Sequence, residues 1–158
     1  MRSSLAAILL AGCWTSPPLR SRAPAPAPVP AGPRVAQITE FGVFEDTGVL
    51  RVTRRVPVQD GIVFGWRIEL PCVDPVAYRE QLTLAGPAEW IQDADTTISA
   101  DRSTATIDSV ADCNDGWIEK HWAVSPNDPL GPIHLRVAVE GFAPIVFRAA
   151  FVPWLPTL

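Results

Sequence analysis

The residues of this 158-residue chain that could do chemistry are few: three cysteines, two histidines and 17 acidic side chains. His121 and His134 lack the companions a metal site needs at short spacing, a second His or a Cys two to four residues away. They meet only if the runs around Trp122 and Leu135 pair as a hairpin, and exposed positions on strand faces are the simpler reading. Neither a Gly-x-Ser-x-Gly elbow, nor Ser-x-x-Lys, nor a phosphate-cradling glycine loop occurs. Carboxylates suffice in number for a glycosidase-type acid and base, but no spacing singles out which two would be held at the needed separation. The acidic stretch from Asp93 to Asp115 offers Asp93, Asp95 and Asp101 as calcium ligands, since hard cations want several oxygens. Asp93-x-Asp95 lacks the glycine and distal glutamate of the helical calcium loop, so turn stabilisation through backbone amides outweighs metal binding. No metal and no organic cofactor is expected.

Six tryptophans bring a second chemistry, because an indole face stacks on the apolar face of a sugar ring. Trp66 falls on a predicted core face and Trp122 is expected to anchor the core. Trp90, Trp117 and Trp154 remain as candidate exposed platforms for a ligand.

Cys13 carries the most specific signal. Met1 and Arg2 lead into an apolar run from Leu5 to Ala11 that ends at Leu10-Ala11-Gly12-Cys13, the charged start, greasy middle and small-residue cut site of a secretory signal. The run is far shorter than the roughly 20 residues of a membrane-spanning helix. Its last four residues resemble the lipobox of bacterial lipoproteins. That resemblance implies cleavage before Cys13, a diacylglycerol on its thiol and a new amino group open to acylation. A thiol suits the reaction because it is a soft nucleophile that alkylates to a stable thioether. Two or more acyl chains hold a protein on a membrane firmly where one holds it only reversibly. Trp14, whose indole suits the headgroup region, stands where an aspartate would signal inner-membrane retention. By resemblance to that sorting rule the outer membrane is favoured, with the domain in the periplasm.

Residues 1–12 are thus expected to be a signal peptide and residues 13–34 a spacer. Trp14 to Pro33 holds seven of the 17 prolines, which favour extended polyproline II and exclude helix or sheet. At roughly 3 Å per residue the spacer reaches on the order of 60 Å. The remaining 35–158 are about 125 residues, enough for one core and too few for two. Within them nine Arg and Lys face 17 Asp and Glu, a balance of -8 against -4 for the whole chain. Such a charge argues against nucleic acid and favours basic partners.

The elements that must position these residues read as strands. Ile62, Phe64, Trp66, Ile68 and Leu70 alternate with Val63, Gly65, Arg67 and Glu69, the pattern of a strand with one face on a core. Gln37 to Phe44, Leu50 to Val56, Glu80 to Ala85, Thr104 to Val110, Trp117 to Val124, Ile133 to Val139 and Ile145 to Val152 are the expected companions. Asp60-Gly61, Asn114-Asp115-Gly116, Asn127-Asp128-Pro129 and Glu140-Gly141 supply turns. Short connections suggest that the last three runs form a meander. The expected fold is all-β, an antiparallel immunoglobulin-like sandwich of about seven or eight strands, with a small closed barrel as alternative. With Cys13 lipidated, Cys72 and Cys113 are left as a pair in an oxidising compartment, and a disulfide between them is expected. Closing a loop of about 40 residues contributes about 4 kcal/mol in the chain-entropy model.

Ile38-Thr39-Glu40-Phe41-Gly42-Val43-Phe44, Gly61-Ile62-Val63-Phe64-Gly65-Trp66, and Trp122 with Asp128-Pro129-Leu130-Gly131 resemble an uncharacterised bacterial family, a domain of unknown function, over most of 35–152. The resemblance implies a β-fold and carries over no catalytic or binding residue; the Cys72 and Cys113 pair departs from it. The protein expected is a lipid-anchored envelope module that binds without catalysis. An envelope protein is the first expected partner and a glycan the second, and a hydrolase using a carboxylate pair ranks last.

Overall fold

Alternating apolar and polar side chains make each strand a two-faced ribbon that must bury one face. The computed structural model describes residues 32–72, 74–91 and 93–155; the segment expected to be a signal, Cys13, Trp14 and nearly all of the expected spacer lie outside them. Among the described residues there are ten strands: β1 (Ile38–Phe44), β2 (Leu50–Val52), β3 (Arg55–Val58), β4 (Val63–Glu69), β5 (Val76–Thr83), β6 (Thr96–Ile98), β7 (Thr104–Ala111), β8 (Trp117–Ala123), β9 (Gly131–Val139) and β10 (Ile145–Pro153). They form a four-stranded sheet, β2-β1-β4-β8, and a six-stranded sheet, β3-β10-β9-β5-β7-β6. Two separate sheets decide for the sandwich over the closed barrel. Every pairing is antiparallel except that of β3 with β10, which is parallel.

The two sheets enclose one core. Trp66, Ile68 and Phe64 on β4 and Ile118 on β8 meet Leu82 on β5 and Ile133, Leu135 and Val137 on β9. Phe41, Phe64, Phe147 and Phe151 pack as tilted and edge-on pairs across the interior, with centroids 5.3 to 6.0 Å apart. The expected inward face Ile62, Phe64, Trp66, Ile68 and Leu70 is the observed one, four of the five fully buried and Ile62 partly so. Outside the four-stranded sheet, Gly65 accommodates a close approach. A Cβ there would stand 1.9 Å from the Lys120 carbonyl oxygen and 3.1 Å from the Phe44 ring, which in turn packs on His121 with centroids 3.9 Å apart.

Four expectations about the strands need correction. Leu50 to Val56 is two strands, because Thr53 turns its hydroxyl onto the Arg55 amide and the chain bends from one sheet into the other. Pro57, which has no N–H to give, is tolerated because β3 is an edge strand. The run expected at Glu80 to Ala85 starts four residues earlier, at Val76. β6 was not expected at all; three residues inside an acidic stretch are too few to show a period. The meander holds only for β9 and β10, since β8 pairs with β4 in the opposite sheet. Ser125 to Leu130 is a longer connection with two prolines, closed by an Asp128 carboxylate that accepts from the Ser125 amide at 2.9 Å. It carries the chain between sheets where a tight hairpin would have kept it in one.

The strand directions define two ends. At one, the chain arrives: Arg34, which the sequence reading leaves in the spacer, bonds to the β9–β10 turn through Arg34 N–H to Gly141 O at 3.0 Å and Ala143 N–H to Arg34 O at 2.8 Å. Its guanidinium lies 4.6 Å from the Phe142 centroid. Cys72 and Cys113 form a disulfide at this same end, with Cα atoms 6.0 Å apart, joining the connections after β4 and β7. A bond of this kind belongs to an oxidising, extracytoplasmic compartment. No helix of the described residues is long and apolar enough to cross a membrane. The opposite, distal end gathers the connections β1–β2, β3–β4, β6–β7 and β8–β9, with the start of the β5–β6 crossover.

Candidate functional site

At the distal end the two sheets part around a pocket of about 360 Å³. Phe64, Leu82, Leu84, Val124 and Phe151 make an apolar floor, Trp90 and Trp122 supply indole walls, and Glu89, Ile91, Ser125 and Asp128 stand about the mouth. Ile91 is almost wholly exposed, at 89%.

Both indoles are held from behind. Trp122 donates its Nε1–H to Glu80 Oε1 at 2.6 Å. Glu80 lies on the inner face of β5 and is completely buried, and burial pushes its carboxyl up to about 7, against the smaller opposing pull of the Trp122 donor, the nearby Trp66 indole and the Lys120 charge. Its other oxygen, Oε2, and the Trp66 Nε1 have no hydrogen-bond partner of good geometry, so the buried carboxylate is under-solvated for a charged group. Trp90 packs edge-on against Trp122, centroids 5.9 Å apart at 76°, and donates its Nε1–H to Arg102 O at 2.7 Å. That carbonyl also accepts from the Ala88 amide at 3.0 Å, and the Arg102 guanidinium returns a bond to Ala88 O at 3.1 Å. Arg102 adopts a positive φ of 57° in the β6–β7 turn. Asp101 clamps that turn by accepting from the Ser99 hydroxyl at 2.6 Å and the Ser103 amide at 3.1 Å. With both indole N–H groups spent internally, the walls offer ring faces and edges to an occupant and no donors.

The calcium candidates are thus placed in turns. Asp93 accepts from the Thr96 hydroxyl and from the Asp95 amide at 3.2 Å, and these bonds hold its carboxyl below the ordinary range, the Thr96 bond foremost. Bonds from Ser99 and Ser103 lower that of Asp101 likewise. Among the described residues no group of three or more His, Cys, Asp or Glu could hold a metal. His121 and His134 lie in different sheets, so the hairpin that would have joined them does not form. His121 stands 3.3 Å from Glu119 Oε1.

Nor do the three platform tryptophans come together. Trp90 is half-buried in the pocket wall. Trp117 lies at the chain-arrival end with the Arg67 guanidinium 4.7 Å from its ring centroid. Trp154, 46% exposed, follows β10 outside the pocket lining. Sequence reasoning missed Glu80, Glu89 and Asp128. A glutamate two residues from both Tyr78 and Leu82, at inward parity, was the available signal for Glu80. Asp128 reads locally as turn chemistry, and its partial burial, which raises its carboxyl, arises only in the folded chain.

A family model, the PM0630 beta sandwich domain, matches residues 39–148. The chain belongs to that family. The match covers nearly all of both sheets and so includes Glu80, the two indoles of the pocket and both rim carboxylates. The chain is also similar to a solved structure, an immunoglobulin-like protein from Pseudomonas aeruginosa, at 15% identity and a TM-score of 0.53, over 77% of this chain and 98% of that one. At that identity the likeness shows the fold. A comparison with curated proteins finds none that matches.

Proposed function

We propose that this chain is a lipid-anchored module of the bacterial cell envelope that binds a partner through the distal pocket and catalyses no reaction. The observation that carries the binding is the pocket itself: a preorganised apolar floor and two fixed indoles, at the end of the sandwich opposite the docked Arg34. Concave sites of this size, mostly apolar with a few polar groups, are where ligands bind. Leu10-Ala11-Gly12-Cys13 supports the anchor, and the disulfide fits the compartment such an anchor requires. An outer-membrane address with the domain in the periplasm extends this reading through Trp14. Glycan binding through Trp90, Trp117 or Trp154 would rest on one of them singly, since the three lie apart.

Two experiments test the proposal. Cys13→Ser is expected to leave the membrane fraction and to lose label from a clickable palmitate analogue; retention with undiminished label overturns the anchor. A photo-crosslinking residue at Ile91, in the native envelope, is expected to give a discrete adduct that Trp90→Ala abolishes. Adducts no different from those of a probe at the exposed Val110 overturn binding through the pocket.

One observation favours a second reading. Glu89 and Asp128 line the same cleft, as an acid and a base would. Asp128, however, is engaged by the Ser125 amide as a turn clamp. Release of soluble fragments from envelope glycans by the wild type, abolished in Glu89→Gln, would establish the hydrolase.

A further inference from the structure

We infer that the distal pocket receives an aliphatic ammonium group, presented by a partner protein as a lysine side chain; this rests on the binding role proposed for the pocket. The inference follows from what the lining can and cannot offer. Its ionisable members, among the described residues, are Glu89 and Asp128, both acids. Trp122 and Trp90 have given their N–H groups to Glu80 and Arg102. Among the described residues, the Ser125 hydroxyl is the one side-chain donor left in the lining. An occupant that brings acceptors finds almost nothing to donate to them, whereas one that brings N–H donors finds the Glu89 carboxylate and the Asp128 oxygen that the Ser125 amide leaves free.

The body of the ligand is set by the floor and walls. Phe64, Leu82 and Leu84 take a methylene stem, and indole rings attract a cation held against them. Lys120, which is outside the lining, lies with its Nζ 5.6 Å from the Trp122 centroid, a like charge that the Glu89 and Asp128 carboxylates must outweigh at the mouth. Long-range charge favours the ammonium, since the domain's balance of -8 draws basic surfaces toward it. A lysine joins a short apolar stem to a compact ammonium, which suits a greasy pocket with carboxylates at its mouth.

Titration of the purified, 15N-labelled full chain tests this, reading the indole N–H resonances of Trp90 and Trp122. The probes are n-butylammonium, its neutral isostere butan-1-ol, and N-acetyl-lysine N-methylamide. Butylammonium is expected to shift both resonances saturably and to bind about tenfold more tightly than butan-1-ol. Glu89→Gln, at an exposed rim position, is expected to weaken butylammonium severalfold and leave butan-1-ol unchanged; Asp128→Asn provides a second reading from the other carboxylate. Binding of the blocked lysine within about threefold of butylammonium assigns the ammonium to a protein side chain. Binding of butylammonium alone keeps the ammonium site and overturns the protein as its source. Equal affinity for butan-1-ol, or indifference of butylammonium to both carboxylate substitutions, overturns the inference. If no probe moves either indole while crosslinking from Ile91 still captures a partner, the ammonium inference falls and the binding role stands.

Discussion

Replacing Glu80 by Gln changes one buried charge and little else in shape, and its effect depends on pH in a direction the structure dictates. Glu80 is fully buried between the sheets, with Trp122 donating to one oxygen and the other without a partner. Desolvation raises its carboxyl from 4.5 to about 7. A folded-state value above the unfolded one means that the native state binds the proton more tightly. Stability from this group is therefore complete below pH 4.5 and is lost as pH rises toward and through about 7. Between pH 5 and pH 8 the loss amounts to about 2 to 3 kcal/mol, at about 1.4 kcal/mol for each pH unit of displacement. Gln does not titrate. Its carbonyl can still accept from Trp122, while its amide group faces a core without an acceptor and costs about 1 kcal/mol at every pH. Urea unfolding of both proteins with the disulfide intact, followed by tryptophan fluorescence, supplies the stability at each pH. The stability of Glu80→Gln minus that of wild type is expected to grow by about 2 to 3 kcal/mol from pH 5 to pH 8, and the difference of differences removes every other titrating group from the comparison. A value of zero, or a shift toward wild type at pH 8, would refute the account of Glu80 as a desolvated carboxylate.

Other perturbations follow from the same geometry. Cys72→Ser combined with Cys113→Ser opens a bridge between residues 41 apart in sequence; a loss of about 4 kcal/mol in urea unfolding is expected, and a loss below about 1 kcal/mol contradicts it. Gly65→Ala places a methyl 1.9 Å from the Lys120 carbonyl oxygen, so β4 and β8 must separate. A destabilisation on the order of 2 kcal/mol or more is expected, with faster amide exchange in both strands. Asp101→Ala removes the clamp on the turn that offers Arg102 O to Trp90. Thermal or urea unfolding is expected to register about 1 kcal/mol, and the Trp90 indole resonance is expected to broaden while that of Trp66, buried elsewhere in the core, stays sharp.

The β-sandwich class, the inward face of β4, the two-cysteine bridge and most of the turn positions were all legible in the chain before folding. The inward face and the turns are local properties: alternation needs only one strand to declare which side chains lie together, and Asp-Gly or Asn-Asp-Gly needs only its own backbone torsions; the bridge came from counting, since Cys72 and Cys113 are the two cysteines left once Cys13 is set aside. Family membership rests on a match that runs over residues 39–148. Strand partnership is not local. Whether Trp117–Ala123 continues a hairpin with β9 or crosses to pair with β4 depends on which sheet edge is free to accept its backbone groups. The six residues from Ser125 to Leu130 are compatible with either outcome until Asp128 folds back on Ser125. The division of Leu50 to Val56 between two sheets likewise requires the second sheet to exist.

The pocket lies furthest from the sequence. Trp90, Trp122, Glu89 and Asp128 come from two connections and one strand end, separated by as many as 39 positions, and nothing in their spacing marks them as neighbours. Glu80 carries its charge in the sequence; its burial, and with it the raised carboxyl, exists only after β5 is laid against Trp66 and Trp122. Residue types alone decided that this chain makes faces, turns and a bridge. Packing one sheet on the other decided which faces meet, because desolvation and concavity are properties of an assembled core and of no single segment.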